Sequence, residues 1–141
     1  MLKNIPEILT PDLLKILDEM GHGDEIVLAD ANFPAASNAN KLIVYRGVGI
    51  VPILEGILKL FPLDTYVSHP AKLMQPVRKD EQSPAIWNDY QQIIKEHHTP
   101  FTDFELIERF EFYQHARNAY AIVATAEKTG YANIILKKGG V

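Results

Sequence analysis

The sequence predicts a single α/β domain, a mixed β-sheet with helices packed on both of its faces. Short apolar, β-branched runs alternate along the chain with segments whose apolar residues recur every three to four positions. No internal repeat, low-complexity tract or linker divides the 141 residues, so residues 1–141 are read as one domain large enough to bury a core. A hydrophobic fraction of 47% with 23% charged residues is the balance of an ordinary globular protein.

The elements follow in order. Thr10 can cap a first helix, Pro11 suits its first turn, and Leu13, Leu14, Leu17 and Met20 share one face, with Gly21 as the expected left-handed stop. "EIVLAD" (25–30) reads as a strand buried on both faces. "ANFPAASNAN" reads as a loop, "KLIVYR" (41–46) as a second strand, and Gly47 and Gly49 as a turn. Pro52 opens a helix carrying Ile53, Ile57, Leu58 and Phe61 on one face. A strand is expected near 65–68, and "KLMQPV" as a weaker or edge strand. Residues 77–84 are a surface loop, and Ser83 and Pro84 start a helix with Ile86, Tyr90, Ile93 and Ile94 inward. "FELIER" (104–109) is a strand, "FEFYQHARNA" a short helix, and "YAIVATAE" and "YANIILKK" are the last two strands, with Gly130 in the turn between them.

The net charge of −4 and the absence of a long basic run argue against nucleic acid or an anionic membrane surface as partner. There is no cysteine, which removes thiol catalysis and disulfides and fits a reducing cytoplasm. No apolar stretch approaches the roughly 18 residues that a bilayer span needs. The N-terminus does not read as a signal peptide, so a cytoplasmic protein is expected. The chain has no phosphate loop, no complete dinucleotide fingerprint in "GVGIVP", no HExxH, CxxC or EF-hand pattern and no G-x-S-x-G elbow. His97 and His98 are adjacent and would point about 100° apart on a helix, which makes a poor metal pair. No cofactor or metal is therefore expected.

The candidate chemistry is acid–base. His22 stands between two glycines, just past a helix and just before a buried strand, with an intrinsic pKa suited to proton transfer. The alternative is a histidine that only meets helix-end carbonyls. Asp30 ends the same strand, where ligands of open α/β sheets gather, though it could equally start the "ANFP" turn. Asp24 is a weaker candidate that could orient His22. Arg109 and Tyr113 lie four apart, on one helical face, beside aromatic residues that could be core alone. Tyr131 and Asn133 lie two apart entering a strand and so share a side, as a pocket wall or an ordinary turn. These groups suit proton transfer on a neutral polyhydroxylated substrate without selecting a reaction.

The segments "LTPDLLKILDEMGHGDEIVLADANFPA", "FPLDTYV", "IERFEFYQHARNAYAIVATAE" and "YANIILKKG" resemble the L-fucose mutarotases, in a family shared with the D-ribose pyranases. The resemblance spans nearly the whole chain and is least distinctive from Lys72 to Thr102, apart from the spacing in "IWNDY". It implies the mixed-sheet fold of that family. It also implies an isomerase that interconverts the α and β anomers of L-fucose without a cofactor. By the same resemblance His22, Tyr113 and Tyr131 correspond to catalytic positions. Asp30, Asp64, Met74, Arg109 and Asn133 correspond to sugar-binding positions. A homo-oligomer, commonly a decameric ring with sites near subunit contacts, is implied as well. Where many fucose mutarotases carry Y-G-N, this chain has Tyr131, Ala132 and Asn133, while "ERFEFY" favours the fucose branch. Two alternatives stand beside this: a D-ribose pyranase, and a non-catalytic sugar-binding protein.

Overall fold

A computed structural model describes residues 1–141. Six strands form one sheet: β1 (Glu25–Ala29), β2 (Leu42–Val44), β3 (Ala71–Met74), β4 (Glu105–Ile107), β5 (Ala121–Ala124) and β6 (Ile134–Lys137). Their spatial order is β2-β5-β1-β6-β3-β4. β1 runs parallel to β5, β5 to β2, and β3 to β4, while β6 is antiparallel to both β1 and β3. Five strands therefore point one way and β6 alone runs back between them. The carboxyl ends of β1, β3 and β4 and the start of β6 meet at one sheet edge.

Five helices cover the sheet: α1 (Pro11–Glu19), α2 (Ala35–Asn38), α3 (Ile50–Leu58), α4 (Ile86–His97) and α5 (Arg109–Asn118). Strand side chains alternate between faces. Ile26 and Leu28 join the larger core with α1, α3 and α4, centred on Leu13, Ile53, Ile57, Tyr90 and Ile94. Val27 and Ala29 join a smaller core with Phe33, Ala35, Phe112 and Ala116, under α2 and α5. The fold class is thus as the sequence predicts. Gly56, inside α3, lets the N-terminal segment lie directly on that helix, since a Cβ there would collide with Ile8.

Several elements differ in detail. Thr10 caps α1 as expected, accepting from Leu13 N–H at 3.3 Å, but α1 ends at an extended Met20. The left-handed glycine is Gly23 (φ 90°), because it is Gly23, after the turn, that must lead the chain into β1. The loop after Asp30 contains α2. α3 begins at Ile50, so Pro52 lies within the first turn, where no intrahelical N–H partner is lost. No strand forms at 65–68; the only pairing near it is a single bridge from Leu63 to Lys138. β3 is an interior strand, buried throughout, rather than an edge. α4 starts at Ile86, after a turn through Ala85, not at Ser83.

Candidate functional site

The end of the sheet where β1 finishes and β6 begins holds a cavity of about 190 Å³. Its polar lining comes from Asp30 and Asn32 after β1, Arg109 and Tyr113 on α5, and Tyr131 and Asn133 before β6. Met74, at the end of β3, joins Phe33, Pro34 and Val77 as the apolar wall. Ligand sites of open α/β sheets favour this position, outside the carboxyl ends of the strands. A wider hollow of about 550 Å³ adjoins it along the 75–83 loop. That hollow shares Arg109 and Val77 with the cavity but none of its carboxylate, amide or phenol groups.

The polar groups are held by short local bonds. Asp30 N–H donates to Asn133 Oδ1 at 2.7 Å, and Asn32 N–H donates to Asp30 Oδ1 at 3.0 Å. Asn133 is buried and its carbonyl oxygen is engaged, so its Nδ2 remains as a donor. Val77 N–H donates to the Tyr131 hydroxyl at 3.1 Å, which leaves the Tyr131 proton to donate elsewhere. Tyr131 has a left-handed backbone, φ 57°. Phe33 packs edge-on to Phe112 and Tyr113, which fixes the inner face of α5. Arg109 Nε is buried without a protein partner, a donor available to an acceptor in the cavity. Burial pushes the Asp30 carboxyl above its usual range. The N–H groups of Asn32 and Phe33 and the Asn133 side chain oppose that rise, and the charge of Glu127 adds to it.

His22 is at the opposite end of β1. It precedes β1 whereas Asp30 follows it, and five strand residues at about 3.3 Å each separate the two. His22 Nε2 lies 3.0 Å from Asp64 Oδ1, and the same oxygen accepts from Tyr66 N–H at 3.0 Å. Asp64 is 3% exposed and anchored by its own N–H to Lys137 O at 3.0 Å. Burial alone would raise the Asp64 carboxyl, but the Tyr66 N–H and His22 outweigh it, and the net shift is downward. The His22 side chain is 46% exposed and its ring lies 5.2 Å from that of Tyr66, itself an exposed residue. Asp24 does not orient His22; its carboxylate accepts from Gly21 N–H instead.

Of the eight positions that the family resemblance implies, Asp30, Met74, Arg109, Tyr113, Tyr131 and Asn133 line one cavity, and His22 and Asp64 form a separate pair. Asn32, Phe33, Pro34, Val77 and Tyr66 were not singled out. The "ANFP" run signalled a turn but not that the turn folds over the pocket. A cluster of Glu55, Glu96 and His97 joins α3 to α4 and contributes nothing to the cavity lining, with His97 Nε2 3.0 Å from Glu55 Oε1. The cavity offers a carboxylate, two amides, a guanidinium and two phenols against an apolar wall, which suits a small ligand with several hydroxyls and one apolar side.

The sequence profile of the RbsD / FucU transport protein family matches residues 3–141. The chain is similar to the L-fucose mutarotase of Actinobacillus pleuropneumoniae serotype 5b (strain L20), with 48% identity over 139 residues, covering 99% of this chain and 96% of that protein. It is also similar to the solved structure of the fucose mutarotase in complex with L-fucose from Streptococcus pneumoniae. That match has 53% identity and a TM-score of 0.92, covering 99% of each chain. The structure of Bacillus subtilis RbsD complexed with D-ribose shares the fold at 22% identity and a TM-score of 0.72, over 94% of this chain and 95% of that one.

Proposed function

The chain belongs to the RbsD / FucU family, and from that premise we propose that it is an L-fucose mutarotase, an isomerase acting on the free sugar. The observation that carries this reading is the cavity itself. Six polar residues, Asp30, Asn32, Arg109, Tyr113, Tyr131 and Asn133, converge opposite an apolar wall, in a chain about half identical, end to end, to mutarotases of L-fucose. A 6-deoxy sugar has the matching character: hydroxyls for the polar groups and a methyl for Met74 and Phe33. The likeness to the ribose-bound protein extends to the fold alone, which favours fucose over ribose.

Anomer exchange requires the anomeric hydroxyl to lose its proton as the bond from the anomeric carbon to the ring oxygen breaks. The ring oxygen takes a proton in the same process. Rotation about the adjacent carbon–carbon bond and reclosure on the other carbonyl face, with the protons returned, give the second anomer. In this reading His22 is the acid at the ring oxygen, and Tyr113 or Tyr131 handles the anomeric hydroxyl. Asp30, Arg109 and Asn133 fix the pose through the remaining hydroxyls. Asp64 acts through His22: by accepting from Nε2–H it orients the ring and balances the imidazolium, whose Nδ1–H faces the substrate and supplies the proton for the ring oxygen.

The separation of His22 from Asp30 along β1 supports a site made by two copies of the chain. One copy presents its exposed His22, backed by Asp64 and Tyr66, to the cavity of a neighbour. On this reading the enzyme works as a homo-oligomer in the cytoplasm. No helix of the chain is long and apolar enough to cross a membrane.

Saturation-difference proton NMR at equilibrium, with L-fucose and D-ribose in parallel and a chelator present, tests the reading. Rapid exchange between the L-fucose anomeric signals is expected, reduced by about 10²–10⁴-fold in His22→Ala. Saturable binding of either sugar with no faster exchange would leave a binding protein instead.

A further inference from the structure

We propose that Trp87 and Tyr90 are positioning residues for the sugar, holding from α4 the Tyr131–Asn133 turn that points its donors into the cavity. The β6 ladder begins at Ile134, so the carbonyls of Tyr131 and Ala132 have no strand partner. Ala132 is fully buried, and a buried carbonyl must find a donor. α4 supplies two. Trp87 and Tyr90 lie three apart, neighbours on one helix face. Trp87 Nε1–H donates to Tyr131 O at 2.8 Å and the Tyr90 hydroxyl donates to Ala132 O at 2.7 Å. Burial, then the charges of Glu127, Asp30 and Asp89, push the Tyr90 phenol far above its usual range, so it remains a donor at every working pH.

The clamp meets a conformation that needs it. Tyr131 has φ 57°, a left-handed backbone that a bulky residue holds only where its surroundings over-determine it. Three bonds do so here: one from Trp87 and one from Tyr90 to consecutive carbonyls, and one from Val77 N–H to the Tyr131 hydroxyl. The consequence runs on to the pocket, because the residue after this turn is Asn133, whose Oδ1 takes the Asp30 N–H. A helix on the far side of the sheet from α5 thus sets where the amide and the phenol of the cavity stand. Neither Trp87 nor Tyr90 lines the cavity.

The kinetic arm of the test rests on the mutarotase reading; the exchange arm does not. Tyr90→Phe and Trp87→Phe are compared with Ile94→Val, a core change on the same helix. In Tyr90→Phe, KM for L-fucose should rise about tenfold, equivalent to ~1.4 kcal/mol, with kcat little changed. The Asp30 amide, which depends on Asn133, should exchange with deuterium about tenfold faster, while the Leu28 amide within the β1 ladder does not. Trp87→Phe should shift both readouts in the same direction. Ile94→Val should lower the melting temperature and move neither. KM and Asp30 exchange both at wild-type values in Tyr90→Phe and Trp87→Phe would overturn the clamp. If the wild type does not exchange anomers, the mutarotase reading fails, and the Asp30 amide alone decides for or against the clamp.

Discussion

Asp30 carries opposed demands. Its carboxylate is wanted as an acceptor in the cavity, yet it is buried and its pKa is raised above 3.8. The linkage sign follows from that rise. In the unfolded chain Asp30 ionises near its ordinary value; in the folded chain it holds its proton to higher pH. The folded state is therefore disfavoured progressively as pH rises from the unfolded pKa through the folded one, and the deficit is complete above the folded pKa. Asp30→Asn removes that deficit and keeps the Oδ1 that accepts from Asn32 N–H. The variant should melt higher than wild type above the folded pKa, with the difference fading as pH falls from there and gone by about pH 4, where the unfolded carboxyl also takes its proton. Its affinity for L-fucose should fall by about tenfold or more, since a charge-assisted hydrogen bond is lost. Thermal melts across pH, with sugar titrations at pH 7, check both halves. A melting point at pH 7 no higher than that of wild type would mean that burial of the charge is not what limits this position.

At the scale of elements, α5 shows what holds two cavity groups in place. Its N-cap is Glu108, whose Oε2 accepts from Phe110 N–H at 2.8 Å and Glu111 N–H at 3.1 Å. Arg109 is the first residue of the helix and Tyr113 lies one turn on. Glu108→Ala should cost about 1 kcal/mol of stability and weaken sugar binding through fraying of that first turn. Urea melts and fucose titration measure the two effects. Glu108 was not read as a cap because glutamate is not among the usual capping residues, whereas Thr10 followed by Pro11 was plain. β3 was misjudged for a similar reason. Lys72 in a short run suggests an exposed strand, but its ammonium is paired with Glu25 at 3.2 Å under α5, and the strand is interior. Long-range pairing of this kind has no local signature. β1, by contrast, is apolar on both faces and needs no partner to be recognised. The cavity was legible where residues flank strands, at Asp30 and Asn133. It was not legible where a distant segment arrives, as Val77 does, nor was the bond from Trp87 to the Tyr131 carbonyl behind it.

At the scale of the whole molecule, the spacing of His22 and Asp30 decides the most. A single strand sets the two ends apart, and no loop of the same chain carries His22 back to the cavity, because its Nε2 is fixed on a buried Asp64. On the proposed reading, in which both groups serve one sugar, the site is assembled from two chains. This makes a prediction that a one-chain site cannot share. Well below saturation, His22→Ala homo-oligomers should be nearly inactive in L-fucose anomer exchange, and Asp30→Asn homo-oligomers slower than wild type by about tenfold or more. When the two are unfolded together and refolded at equal amounts, some sites receive His22 from the Asp30→Asn copy and Asp30 from the His22→Ala copy. With random assembly about a quarter of the sites are then intact, and about a quarter of wild-type exchange should return. Mixing the folded oligomers without exchange of subunits should restore nothing. If the co-refolded mixture stays as inactive as its parents, His22 and Asp30 serve the same chain, and the approach of His22 to its own cavity must come from a rearrangement of the segment between α1 and β1.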